Sequence, residues 1–318
     1  MAETDGRCCL EKDKQIATYV ALMLVVLFWG LSFVATKIAL ETFTIFTLVF
    51  IRFFLAAIFF SLMMVKTGFP KFSRQDHFKV LLTAFFEPGL YFIFETIGLQ
   101  HTSAPKAALI IATVPVAVLV FAALFLREKP ASANIGGIAL SLLGITILVT
   151  GDPKFSWDMK GSLMGDLLIM GAVLSAAAYT VCARDLGRKH TALDITSLQM
   201  IYGAVMYTPA FLWELPGVQW SAISGRSLAS LVYLTLCATF LAFLFYNYAL
   251  TRIAAGRAAV FINGIPVITA VAAWILLGEV LTLLQVGGGV LVLTAVFLAN
   301  VGRFRVKRKP VALPGEIA

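Results

Sequence analysis

The stretch APKAALIIATVPVAVLVFAALFLREKPASANIGGIALSLLGITILVTG, Ala104 to Gly151, matches AGRAAVFINGIPVITAVAAWILLGEVLTLLQVGGGVLVLTAVFLANVG, Ala255 to Gly302, at a constant shift of 151 residues without a gap. The two copies are identical at 15 of 48 positions, including Pro115 with Pro266, Glu128 with Glu279, Gly136-Gly137 with Gly287-Gly288, and Gly151 with Gly302. Apolar chains share Ala, Leu and Val by chance, but prolines, glutamates and glycine pairs in one register mark a duplication. In a membrane chain, duplication is the sequence mark of carriers that move one repeat against the other.

Composition places the chain in a bilayer. Hydrophobic residues make up 60% and charged residues 13%, with a mean hydropathy of +0.92. A soluble domain holds roughly 45–50% apolar and 25% charged residues. Ten apolar runs recur: Ile16 to Thr36, Thr44 to Val65, Phe78 to Gly98, Ala104 to Leu126, Asn134 to Thr150, Ser162 to Ala183, Leu193 to Trp213, Ser227 to Leu250, Arg257 to Leu277 and Leu283 to Val301. Each can cross about 30 Å of hydrocarbon as a helix. They are apolar on every side, whereas barrel strands alternate. The expected class is an all-α integral membrane protein with ten transmembrane helices. The first run lacks a small-residue cleavage site and reads as a retained helix.

The net charge of +8 follows topology and not nucleic acid. With the N-terminus inside, 19 of the 25 Lys and Arg residues fall in cytoplasmic tails and connections, five fall outside, and Arg52 lies within a span. The positive-inside rule then orients both termini to the cytoplasm. The closing RFRVKRKP segment can meet anionic lipid. Cys182 and Cys237 lie within spans and Cys8-Cys9 in a reducing compartment, which gives no disulfide or metal framework. His77, His101 and His190 sit in loops or at span ends without an HExxH pair, so no metal, cofactor or enzymatic activity is expected. No GxxxxGK[ST] phosphate loop occurs, and energy would come from a gradient.

Five spans per half is an odd number, so the second repeat enters the membrane from the opposite side. Such inverted repeats place a substrate site near the midplane between them. The chain divides into a tail at 1–15, a first repeat at 16–151, a linker at 152–161 rich in Asp, Pro, Gly and Lys, a second repeat at 162–302 and a basic tail at 303–318. Gly136, Gly137, Gly287 and Gly288 remove side chains where helices 5 and 10 can pack closely, at a scaffold or dimer seam, so a monomer or homodimer is expected. Pro115 and Pro266 fall about ten residues into helices 4 and 9, where each removes a backbone hydrogen bond and kinks or hinges the helix. Glu128 and Glu279 follow those helices and read as loop-pairing residues.

The second halves of both repeats, with AxxAALIIATVPVxxxxxAxxxLxE followed by GGxAL, resemble the EamA-type repeat of the drug/metabolite transporter superfamily. The segment FWGLSF at Phe28 to Phe33 is similar to that family's opening motif. The resemblance covers nearly the whole chain. It implies a carrier with a central cavity lined mainly by helices 1, 3, 4, 6, 8 and 9, with a small-molecule substrate and the bilayer as partners. It does not fix the substrate.

Charges inside hydrocarbon each cost roughly 2.5–3.5 kcal/mol on insertion scales, so those retained are functional candidates. Arg52 on helix 2 and Glu87 on helix 3 both fall near the midplane, and a pair between them would lower the cost of both. A fixed structural pair is the plainer alternative. Glu87, Tyr91 and Glu95 share one stripe at i, i+4, i+8. Pro88-Gly89 distorts the helix beside it. Glu87 or Glu95 would bind a cationic substrate group or a coupling proton, with Lys37 or Lys106 as the alternative, outer partner of Glu95. At the 151 shift the stripe becomes Ala238, Ala242 and Tyr246, so the acidic site is not duplicated. A neutral wall of Tyr246, Asn247 and Asn263 is expected opposite it. Trp29, Ser32 and Tyr179 are further candidates for the cavity wall, although aromatics in bundles are more often packing. Trp157, Trp213 and Trp220 read as interfacial anchors.

Overall fold

The computed structural model describes residues 2–101, 110–151, 163–277 and 282–301. Among these the chain is helical: α1 Ala2–Ala39, α2 Ile45–Thr67, α3 Arg74–Ala84, α4 Tyr91–His101, α5 Val114–Leu126, α6 Ser132–Thr150, α7 Leu163–Leu186, α8 Ala192–Glu214, α9 Gly225–Tyr233, α10 Ala242–Arg252, α11 Ala255–Ile262, α12 Ile265–Leu277 and α13 Leu283–Val301. Two π-helical turns, Phe85–Leu90 and Leu234–Leu241, join α3 to α4 and α9 to α10. Seven rods are long and apolar enough to cross a membrane, among them Arg74–Gly98 and Gly225–Arg252. Val114–Leu126 and Leu283–Ala299 are shorter apolar helices. The 23-residue α8 carries Asp194, Ser197 and Gln199 in its first turns.

The first helix starts at Ala2 and not near Ile16. Residues 2–14 contain Ala, Leu, Glu and Lys and no proline, so nothing stops the helix where the apolar run begins. The expected linker at 152–161 and basic tail at 303–318, with Trp157, Lys106 and Glu279, lie outside the described residues.

Packing is inverted relative to a water-soluble protein. Val65, Leu124, Phe125 and Leu283 are exposed, while Arg52, Glu87, Gln199, Thr239 and Asn247 are buried. Lipid is as apolar as leucine, so apolar side chains lose little by facing it and polar groups must find partners inside.

The most extensive helix contact is α6 with α13. A Cβ on Gly288 would stand 2.6 Å from the Leu148 nitrogen and 2.7 Å from the Gly144 carbonyl oxygen, and one on Gly144 would stand 2.9 Å from the Gly288 carbonyl oxygen. Gly137 sits as tightly against Ala295 and Ala299. Half of each expected glycine pair is therefore at the seam. Gly136 and Gly287 face open space and are corrected to outward positions, because neighbouring helix residues point about 100° apart.

Pro115 and Pro266 do not kink continuous helices. Each stands in the first turn of a new segment, α5 or α12, after turns at 112–113 and 263–264. Proline tolerates that position because the first amides of a helix have no intrahelical acceptor. The expected hinges are thus helix restarts.

Candidate functional site

The site begins with a break. Glu87 is extended, with φ −146° and ψ 116°, inside the π-helical turn. The following Pro88 disfavours the α region at Glu87 and donates no backbone hydrogen bond. Carbonyls released by such a break must be paired in a bilayer. One helix supplies the side-chain donors: Gln199 Nε2 donates to the Glu87 carbonyl at 2.8 Å, and the Tyr207 hydroxyl donates to the Pro88 and Gly89 carbonyls at 3.1 and 3.0 Å, the Pro88 carbonyl also accepting from the Tyr91 amide. Gly203 lies between the two donors on α8, and its missing Cβ would come 2.6 Å from Pro88 Cγ. Gln199, Gly203 and Tyr207 form an i, i+4, i+8 stripe shaped to fit the break.

The second π-helical turn stands at the same register. Phe85–Leu90 shifted by 151 falls within Leu234–Leu241, and Glu87 maps to Ala238. The Ala238 carbonyl also accepts from a side chain, Trp29 Nε1, at 3.0 Å. The Trp29 ring packs on Phe243 and Tyr246, with centroids at 5.4 and 5.3 Å. Trp29 thus braces a helix irregularity, its indole N–H already used.

A buried polar chain runs from the first brace. The Tyr179 hydroxyl donates to Asn247 Oδ1 at 3.1 Å, and Asn247 Nδ2 lies 2.9 Å from Thr196 Oγ1 and 3.0 Å from Gln199 Oε1. Tyr246 lies beside it, its hydroxyl 3.4 Å from Thr180 Oγ1. Tyr179 on α7, Asn247 on α10 and Thr196 and Gln199 on α8 thereby connect to the backbone of Glu87.

Arg52 and Glu87 form no ion pair. Arg52 Nε donates to Thr239 Oγ1 at 3.2 Å, and its guanidinium lies 5.6 Å from the Phe92 ring centroid. The extended backbone at Glu87 redirects its side chain away from the regular helical stripe, whereas Tyr91 and Glu95 keep it: the Tyr91 hydroxyl donates to Glu95 Oε1 at 3.0 Å. Lys37 makes no ion pair with Glu95 among the described residues, so the outer salt bridge is not formed with it. Glu87 is a buried residue, 8% exposed, and no hydrogen bond or ion pair engages its carboxyl group among the described residues.

One expected wall residue lies elsewhere. Asn263 Nδ2 donates to Ser141 Oγ at 2.6 Å, tying the α11–α12 turn to α6 and leaving Tyr246 and Asn247 without it. Ser32 donates to the Trp29 carbonyl at 2.7 Å within its own helix. Trp213 and Trp220 are 78% and 50% exposed, in keeping with interfacial positions. Gln199, Tyr207, Thr196 and Thr239 are not among the residues the sequence singles out; the Gln199-Gly203-Tyr207 spacing on α8 was the available signal.

At the basic end of the bundle Arg127 takes a left-handed conformation, φ 54°, and the Glu128 amide turns back to the Ala122 carbonyl at 3.1 Å. Glu128 is thereby aimed at the second half of the chain. It accepts from Arg184 Nε on α7 and from the Ala255 amide at the start of α11, each at 3.0 Å. Arg184 Nη1 also donates to the Leu250 carbonyl at 2.7 Å. Nearby, Lys79 pairs with Asp185, and His190 Nε2 lies 3.2 Å from Asp76 Oδ2.

Apolar membrane-length rods, an apolar exterior and polar groups confined to the interior define an integral membrane protein. The EamA-like transporter family profile matches residues 16–150 and again 163–301, and the chain belongs to that family. An uncharacterised transporter of Archaeoglobus fulgidus is 29% identical over 88% of this chain and 97% of its own. A probable terminal-alkyne amino-acid exporter of Streptantibioticus cattleyicolor is 24% identical over 93% of this chain and 97% of its own. A protein crystal structure aligns with 92% of this chain and 99% of its own at a TM-score of 0.76 and 16% identity, a likeness of fold.

Proposed function

We propose that this chain is a secondary transporter of a bacterial or archaeal cytoplasmic membrane that moves a small polar or amphipathic metabolite outward by alternating access. Ten helices would form two inverted five-helix repeats with both termini cytoplasmic, acting as a monomer or homodimer. The paired π-helical turns 151 residues apart support that arrangement. The observation that carries the reading is the Glu87 break, where a buried residue's carboxyl group makes no hydrogen bond among the described residues, in a bundle interior that also holds Arg52. Ionisable groups held inside hydrocarbon mark substrate and proton routes.

An amino-acid-like substrate suits a site with one guanidinium and two carboxyl groups, and one relative is named an amino-acid exporter. A multidrug cation is the second reading, favoured by Glu87 and Glu95 near the rings of Phe92, Tyr91 and Tyr179. Glu87 or Glu95 would carry the coupling proton. Counterflow in proteoliposomes tests this across pH: amino acids should exchange, and both Glu87→Gln and Glu95→Gln should alter the pH profile. Wild-type pH dependence in both variants would remove proton coupling, and stimulation by lipophilic cations alone would favour the second reading.

A further inference from the structure

A groove of about 630 Å³ opens at the basic end of the bundle between the start of α8 and the end of α10. Leu193, Leu244 and Phe245 form its apolar part, and His190, Thr191, Thr251 and Arg252 its polar part. The basic side chains around it are unequally committed. His190 and Lys189 lie against Asp76, while Arg184 and Arg188 lie against Glu128. The Thr191 amide and hydroxyl are both turned to Asp194, so the start of α8 offers an incoming anion little.

Arg252 differs. No carboxylate pairs with it among the described residues. Its guanidinium lies 3.5 Å from the centroid of the Tyr248 ring. Nη1 is used on Thr251 Oγ1 at 2.9 Å and the Tyr248 carbonyl at 3.3 Å, while no hydrogen bond engages Nε or Nη2 among the described residues. A stacked guanidinium with one edge free suits two-point binding of a phosphate oxygen pair. An apolar groove beneath it suits an acyl chain, and the charge bias orients this end toward the cytoplasmic leaflet.

We infer that this groove binds an anionic phospholipid of the surrounding leaflet, its phosphate at Arg252 and an acyl chain along Leu193, Leu244 and Phe245.

The test is thermal unfolding of the full chain in detergent, titrated with phosphatidylglycerol, phosphatidylcholine or inorganic phosphate. Phosphatidylglycerol should stabilise the wild type more than phosphatidylcholine does. Arg252→Gln should weaken its apparent affinity about fivefold, the worth of one basic residue at an anionic surface. Arg252→Lys should keep part of the preference, and Leu193→Trp should lose it by filling the groove with the charge intact. An unchanged lipid preference in Arg252→Gln overturns the inference. So does equal stabilisation by inorganic phosphate, which would leave the apolar groove without a role.

Discussion

Gln199 and Glu87 meet through an unusual pair of atoms: the side-chain amide of one donates to the backbone carbonyl of the other at 2.8 Å, across a helix break. The same Gln199 accepts from Asn247, so one residue joins the break to the polar chain that ends at Tyr179. Glu87 lies in the apolar rod Arg74–Gly98, where a bare carbonyl would be costly.

Gln199→Leu should therefore destabilise the protein by about 1–3 kcal/mol, the usual cost of an unpaired buried polar group. Tyr207→Phe, which leaves the Gly89 carbonyl without its side-chain donor while Pro88 keeps the Tyr91 amide, should cost a similar amount. Both proteins should insert normally, melt lower and lose flux. A Gln199→Leu protein that melts with the wild type would show that water or another donor replaces the amide.

How the sequence and the structure compare follows from what each signal depends on. Span positions rest on length and hydropathy, which bilayer thickness enforces locally, so most helices stand near their expected limits. The Glu87-Tyr91-Glu95 stripe was legible up to its first member; Pro88 marks a distortion in the sequence, but not the extended backbone it leaves at Glu87. Gln199, Thr196 and Tyr207 were poorly legible because their partners are backbone carbonyls and residues from distant helices, and no charge marks them. Asn263 was misassigned because register says which helix holds a residue and not which neighbour that face meets.

The glycine pairs allow a sharper test of packing. Gly288→Ala should destabilise by about 1–3 kcal/mol, since its new Cβ meets backbone that cannot give way. Gly287→Ala and Gly136→Ala add a methyl to open space and remove backbone freedom, so they should be neutral or up to about 1 kcal/mol stabilising. Thermal melts of the three proteins in one detergent decide it. Equal losses at Gly287 and Gly288 would place both at the seam.

Arg52 makes no ion pair with Glu87, and Glu95 is the carboxylate we expect to balance it. Exchanging the charges, Arg52→Glu with Glu95→Arg, should recover part of the stability lost in either single variant, whereas Arg52→Glu with Glu87→Arg should recover none. Coupling energies for residues in one network run about 0.5–3 kcal/mol, well within a thermal-melt comparison. Recovery in the Glu87 exchange alone would reverse the assignment.

Glu128 joins elements 56 and 127 residues away through two 3.0 Å hydrogen bonds, to Arg184 and to the Ala255 amide. Both charged side chains are only 16% exposed, so solvent screens the pair weakly. Removing Glu128 leaves Arg184 without its carboxylate and the first amide of α11 without its acceptor. Glu128→Ala should cost about 1–3 kcal/mol, the range for a charged hydrogen-bond partner, and Glu128→Gln less, since its amide oxygen can still accept from Ala255. Arg184→Ala should cost more in the wild type than in the Glu128→Ala background, where its carboxylate is already gone and only its bond to the Leu250 carbonyl remains to lose. A double-mutant cycle by thermal melting measures that coupling, and strictly additive losses would show that the two residues act separately.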